Sequence, residues 1–576
     1  MQQFDPKRQP PADPLQKAAP TRPLKPSPLL AGDFNSHLQT RPAMTSILNT
    51  RFLGQTLGRT EDGVTQYLGV KYANLKHRLA DAELIENRVG DGLDATKDGP
   101  TAVSRPSSWD LELSTIQHSL PKKVLSQSDI DCLNLNIAMP AGTSPSSKLP
   151  VFVFIPDGGF TMGANSLPQY DLKHFVALSV EKKLPVVAVS INYRLGAFGF
   201  LTSLELRKAG YHGNNGLRDQ RVALKWIKRH IQDFSGDPSY VTLAGRASVT
   251  YLLDDVERLF QAAVLMSGSF FLTPPQSDEE HDLNYLKAMK ALDLMDATPE
   301  ERIKVLLERP AQDIVSQLPS SILTAPRVDE ELVHPKPSFA DVDNPGSFVP
   351  QGKLWCPHLM VGNAQMDSTI FRLLNPSLKT NAAKRFTDTL RTVLSEHPNE
   401  ADYILKSYNI TPDTPDEPAF TSILAYINDI AFLAPTLCLA RGWTNGAFVY
   451  YFNEGNPWDG PIKGHATYNL DVAYLFQNFR EFLSPAQQEV AAAFAEDVLK
   501  FCYARPAWPA VKFGEIETGF SARVYGPSEQ GLAAGLVQQP YGVESTQRDV
   551  LFKCGNEVSF DDLMEVFWAF KDSSSC

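Results

Sequence analysis

The sequence predicts an α/β protein built on a large, mostly parallel, doubly wound sheet, with antiparallel strands at its N-terminal edge and helical insertions. Three observations carry this. Between Leu48 and Val70, apolar and polar residues alternate around Gly54, Gly58 and Gly63, the mark of antiparallel hairpins with one wet face. Further on, Pro150-Val-Phe-Val-Phe-Ile155 and Pro185-Val-Val-Ala-Val-Ser-Ile191 are continuous apolar runs, as expected of strands covered on both faces. Finally, helical and strand patterns alternate from Leu217 to Met266, which in one sheet gives parallel crossovers.

In chain order, residues 1–43 are rich in Pro and polar residues and are expected to be a disordered tail. The remainder, 44–576, reads as one domain. After the hairpins, Leu133 to Ala138 is a strand that follows Asp131 and Cys132. Leu217, Ala223, Trp226, Ile227, Ile231 and Phe234 share one helical face, closed by Gly236-Asp-Pro238. The stretch Tyr240 to Val249, Y-V-T-L-A-G-R-A-S-V, is then a short buried strand from Val241 to Ala244, a sharp turn through Gly245 and a helix from about Ala247. Strands return at Ala262–Met266, Leu359–Gly362 and Ala447–Phe452. Between them, about 274–347 and 378–445 are read as helical insertions, the second containing Ile427, Ile430, Ala431, Leu433 and Ala434. Ser484-Pro-Ala-Gln487 is a helix start with a capping box and Pro in the first turn.

Composition narrows the function. Of the 576 residues, 43% are hydrophobic and 21% charged, proportions of a globular chain. The formal net charge of -12, with no basic cluster, argues against a nucleic-acid partner, which would need a basic face for phosphate. No stretch reads as long and apolar enough to span a bilayer, and the N-terminus lacks the apolar region of a secretory signal. The six cysteines, Cys132, Cys356, Cys438, Cys502, Cys554 and Cys576, are scattered with no metal-ligand spacing. Buried free thiols in the cytoplasm, no membrane, no metal and no cofactor are therefore expected. Oligomeric state is open.

Three motifs name a family. They are D-C-L-N-L-N-I (131–137), N-Y-R-L-G-A-F-G-F-L (192–201), and N-G-L-R-D-Q-R-V-A-L-K-W-I with F-S-G-D-P (215–238). In this order and at these spacings they resemble the type B carboxylesterase/cholinesterase family, similar to its filamentous-fungal members, over about Leu48 to the C-terminus. The resemblance implies an α/β-hydrolase fold and a Ser-His-Asp triad with an oxyanion hole. It places Gly158 and Gly159 of P-D-G-G-F at the oxyanion hole, with Asp157 bringing a carboxylate close to where negative charge would form.

The same resemblance leaves the triad incomplete. An ungapped overlay puts Ala247 at the nucleophile position, and the alternative overlay leaves about four residues missing there. Ser248 is the one nearby hydroxyl and a substitute nucleophile only against the geometry, since Val249 would crowd an elbow. Asp367, in N-A-Q-M-D-S, takes the position of the triad acid. Tyr468, three residues before Asp471, stands where the histidine belongs, and His465, three residues earlier, is the substitute base within reach of a moving loop. The family's secreted members pair the D-C-L cysteine with one after a Gly-Pro. Here Gly99-Pro100 is followed by Thr101, so Cys132 is expected to be unpaired.

Two functions follow as expectations. One is a family protein with a degenerate triad that binds, or acts non-hydrolytically on, a hydrophobic small molecule or ester, with Tyr468, Asp367 and Asp157 available for proton transfer. The other is an active carboxylic ester hydrolase whose elbow is missing only from this gene model, or which uses Ser248 and His465. A structural or partner-binding role is a third class, for which the sequence supplies neither secretion signal nor anchor.

Overall fold

The computed structural model describes residues 44–87, 92–319, 322, 325–512, 520–538, 554–555 and 557–573. The Pro-rich tail, 1–43, and Cys576 lie outside the described residues. The first strands are β1 (Met44–Thr50), β2 (Gly54–Glu61), β3 (Val64–Lys71), β4 (Ala73–Asn74), β5 (Glu83–Leu84) and β6 (Leu93–Asp94). Then come β7 (Asn134–Pro140), β8 (Leu149–Phe154), β9 (Val187–Ile191), β10 (Gly236–Gly245) and β11 (Ala262–Met266). The last are β12 (His358–Ala364), β13 (Ala447–Phe452), β14 (Ser521–Tyr525) and β15 (Ala534–Gln538).

One large sheet runs β1-β2-β3-β7-β9-β8-β10-β11-β12-β13-β14-β15, with β6 added beside β2. Pairing is antiparallel from β1 through β3 and β7 to β9, parallel from β9 through β8 and β10 to β14, and antiparallel again at β15. The apolar runs explain the parallel centre. In β8, Val151 and Val153 belong to one core and Phe152 and Phe154 to the other, as the two-residue repeat of a strand requires. Helices cover both faces. Residues of Asn215–His230 and Ala434–Gly442 fill the first core, and residues of Lys173–Glu181 and Pro485–Cys502 fill the second.

Two sequence expectations change. β10 begins at Gly236 rather than Val241, because Gly236 pairs with Leu149 across a register shift before the regular ladder starts. The expectation that no stretch reaches membrane-spanning length fails at Asp416–Gly442, a 27-residue helical run whose most apolar 18-residue window has mean hydropathy 1.7. Its most apolar window is 94% buried within the fold, so its all-round apolarity is that of a core helix. The run passes through a π-helical turn at Asp429–Leu433, where α-helical bonding is interrupted.

The parallel centre decides where chemistry is placed. The loops leaving the carboxyl ends of β8, β10, β11, β12 and β13 all emerge at one edge, the edge at which open α/β sheets bind ligands.

Candidate functional site

β10 ends at Gly245 and the helix Ala247–Leu253 starts two residues later, so Arg246 alone forms the apex of the turn, with φ -119° and ψ -128°. Its side chain is 3% exposed. Nη1 donates to the Met266 carbonyl at 2.8 Å and the Ser267 carbonyl at 3.3 Å, at the end of β11. Nη2 donates to Asn469 Oδ1 at 3.0 Å and Asp471 Oδ1 at 3.4 Å, and Nε lies 3.6 Å from Asp157 Oδ2. The guanidinium also sits 3.9 Å from the centre of the Tyr468 ring, a cation–π contact. Burial works against its charge, but Tyr468, Asp471, Asp157 and Asp367 more than reverse this and hold its pKa above the ordinary value. A guanidinium so surrounded, with its four Nη–H groups bonded to protein acceptors and Nε beside a carboxylate, is poorly placed to receive an incoming anion.

Asp157 reaches Arg246 from the turn after β8. Gly158 and Gly163 have φ of 142° and 103°, and a Cβ on either would collide with backbone of the same turn, on Met162 and Asp157 respectively. The turn is therefore tight, with Gly159 exposed at its tip. Tyr468, half-buried, donates a hydrogen bond to Asp157 Oδ2. Burial first, and then Asp157 beside it, hold the Tyr468 phenol well above its usual pKa.

Asp367 follows β12, where it opens the short helical turn Asp367–Thr369 and accepts from the Ala364 amide at 2.7 Å. The bond from the Met366 amide to the Ala466 carbonyl at 2.8 Å ties this segment to the Tyr468 loop. Asp367 and Asp471 are both fully buried and close enough to feel each other. Burial raises both pKa values, Asp471 raises Asp367 further, and Arg246 opposes this at both. Two buried carboxylates beside one cation cannot both ionise cheaply, so ionisation of either raises the cost of ionising the other.

The other sequence candidates take no direct part in the contacts of Arg246. Ala247 is the buried first residue of its helix. The Ser248 hydroxyl is turned into the fold, accepts from Gln220 Nε2 at 3.1 Å and faces the Tyr193 hydroxyl. His465 is exposed on its loop, its backbone bonded to Asn456 and Ile462. The structure thus gathers Asp157, Gly158, Gly159, Tyr468 and Asp367 at one edge, links Ser248 to it through Tyr193, whose hydroxyl donates to the Pro156 carbonyl at 3.3 Å, and leaves the His465 side chain exposed. The five cysteines among the described residues are free and buried, and burial lifts the Cys132 thiol to about 12.

Sequence reasoning missed two residues. The first is Arg246, whose signal was a lone cation inside an otherwise apolar strand–helix junction. The second is Glu112, on the helix Ser108–Ile116, which is 3% exposed and accepts from Gln169 Nε2 at 3.0 Å. Burial dominates there and pushes its carboxyl up to about 8. Nothing near Glu112 in sequence marked it.

Comparison with known proteins agrees with this architecture. The family described as the carboxylesterase family matches residues 44–502. Lipase 3 of Yarrowia lipolytica is 24% identical over 490 residues, covering 82% of this chain and 91% of that protein. The para-nitrobenzyl esterase of Bacillus subtilis is 29% identical over 469 residues, 78% and 86% of the two chains. Among solved structures, a PNB esterase superimposes with a TM-score of 0.66 at 24% identity, over 88% of this chain and 99% of that one. With the matching sheet and its loops at the carboxyl edge, these findings settle the family: the chain belongs to the carboxylesterase family and has the α/β-hydrolase fold.

Proposed function

We propose that this protein does not carry out serine-dependent ester hydrolysis and instead binds, or acts non-hydrolytically on, an uncharged hydrophobic small molecule or ester above the Asp157–Tyr468 pair. The observation that supports this reading best is the occupant of the elbow. Arg246, locked among Asp157, Asp471, Asn469 and Tyr468, fills the turn where acyl transfer needs an exposed nucleophile next to a base. Its donors are spent on protein, which disfavours an anionic ligand.

Loss of nucleophile or base from a serine triad lowers turnover on the order of 10⁶-fold. The purified protein is therefore expected to show no enzyme-dependent hydrolysis of short-chain p-nitrophenyl esters and no labelling by a fluorophosphonate probe. Stoichiometric labelling at Ser248 would overturn the proposal.

A second reading, an ester hydrolase lacking only a few residues, draws support from the retained Gly158-Gly159 turn and from Asp367 beside the Tyr468 loop. It is tested by inserting Glu-Ser-Ala-Gly after Gly245 together with Tyr468→His. Recovered hydrolysis would mean the scaffold still accommodates a triad, whereas no gain would mean the surrounding site has diverged with it.

A further inference from the structure

We propose that the ligand of this site is a hydrophobic alcohol, recognised by donation of its hydroxyl hydrogen to the free oxygen of Asp157, and not an ester recognised through its carbonyl. This deepens, and rests on, the reading of the site as one that binds without serine-dependent hydrolysis.

The polarity of the site carries the inference. Asp157 Oδ2 accepts from the Tyr468 hydroxyl and lies 3.6 Å from Arg246 Nε. The other oxygen, Oδ1, has no hydrogen-bond partner among the described residues and is open to solvent, on a side chain 18% exposed. The backbone on either side is held. The Pro156 carbonyl accepts from the Tyr193 hydroxyl at 3.3 Å, and the Asp157 carbonyl is tucked under Gly163, where an added Cβ would stand 2.4 Å from it. The carboxylate cannot rotate without giving up both the phenol and the guanidinium. Oδ1 is therefore an acceptor fixed in place before any ligand arrives.

The side-chain donors beside it are already engaged. The four Nη–H groups of Arg246 go to Met266, Ser267, Asn469 and Asp471, and the Tyr468 hydroxyl hydrogen goes to Asp157. What these side chains still offer a ligand is lone pairs, on Asp157 Oδ1 and on the phenol oxygen. An ester carbonyl or an ether brings only lone pairs of its own. A fatty-acid carboxylate brings a like charge as well. The same carboxylate would oppose a tetrahedral oxyanion, since the P-D-G-G-F turn (156–160) is where acyl transfer would gather negative charge. A hydroxyl reverses each of these signs. It donates, it is uncharged, and a hydrogen bond to an ionised acceptor is about twice as strong as a neutral one.

The test is calorimetric titration of the full-length protein at about pH 7 with three probes that share one apolar body: naphthylmethanol, its methyl ether and its acetate ester. The alcohol is expected to bind about tenfold tighter than either of the others, or better. Asp157→Asn keeps the shape and drops the charge, so it should cut that preference to about a third or less. Asp157→Ala should abolish it, with thermal melts checking that each variant is folded; if Asp157→Ala does not fold, Asp157→Asn decides. Equal affinity for alcohol and ether in wild type, or a preference undiminished in the variants, would overturn the inference while leaving a binding site in place. Enzyme-dependent release of naphthylmethanol from the acetate would instead overturn the non-hydrolytic reading, and the comparison of alcohol with ether, which contains no ester, would still decide this one. Binding of none of the three would overturn both.

Discussion

Arg246, itself 3% exposed, meets two backbone carbonyls, one amide oxygen, two carboxylates and an aromatic face. A buried ion pair is weak evidence of net stabilisation, because desolvation offsets most of the Coulomb gain, but removing one member strands the other. Arg246→Leu is thus expected to destabilise the protein by about 3–5 kcal/mol near neutral pH. Asp471 and Asp157 would be left buried or half-buried beside Asp367 with no cation, and they would relieve the strain by binding protons. The Asp471 and Asp367 carboxyls, already raised by burial, would rise further once Arg246 no longer lowers them, so the deficit should shrink as pH falls. Urea denaturation of both proteins at about pH 7.5 and about pH 5.5 measures this. An equal deficit at both would mean that lost packing, and not stranded charge, dominates. The contrast with Arg194 is instructive. That side chain forms a two-point pair with Asp219, at 2.8 and 2.6 Å, and spends Nη1 on the Arg78 and Ala80 carbonyls, so it ties motif to motif at a distance from the carboxyl-edge cluster.

Elements were legible to the degree that their signals were local. The capping box at Ser484 is one case. The Gln487 amide donates to Ser484 Oγ at 3.4 Å and the Ser484 amide to Gln487 Oε1 at 3.1 Å, at the head of the helix Pro485–Cys502. Ser484→Ala is expected to cost about 1 kcal/mol, read as roughly fivefold faster exchange of the first-turn amides with little change elsewhere. The strands Ala262–Met266 and Ala447–Phe452 were equally plain, since a continuous apolar run in an α/β chain has one place to go. β10 was only half read, because its first residues, Gly236-Asp-Pro238, look like a stop signal and their pairing with β8 is a tertiary fact. The candidate site divides in the same way. Gly158, Gly159, Asp367 and Tyr468 were found because family motifs carry them, whereas Glu112 lies 45 residues before Asp157 in sequence and meets it only through packing. The distinction between Ala247 and Arg246 at the turn apex rests on where the helix begins, which periodicity fixes only to within a residue or two.

Across the whole molecule, carboxylates fall into two groups with opposite consequences for pH. Surface acids with cationic partners are held low. Arg221 and then Arg218 bring Glu331 to about 2, and Lys379 and then Arg372 lower Glu417. Stability from these is present above the unfolded carboxylate pKa and is lost on acidification, but the pairs are exposed and each contributes little. The second group is buried and held high, led by Glu112 at about 8, with Asp367, Asp471 and Asp219 also raised, burial being the first cause in each. For these the folded state binds more protons than the unfolded one, so their contribution is complete below the unfolded pKa and declines as pH climbs towards the folded value. These buried acids give the protein an alkaline weakness, while histidines held low by burial, such as His230 and His281, weaken it on acidification below the ordinary imidazole value. For Glu112 alone, the loss between about pH 6.5 and about pH 9 is on the order of 2 kcal/mol. In a chain of this size that lowers the thermal midpoint by about 2 °C. Differential scanning calorimetry across that range should show the decline in wild type and a visibly flatter curve in Glu112→Gln. Asp367 and Asp471 would remain to supply whatever slope persists. A midpoint that instead rises from about pH 6.5 to about pH 9 would show that the surface pairs outweigh the buried acids and that the protonated state of this cluster is not what the fold is built around.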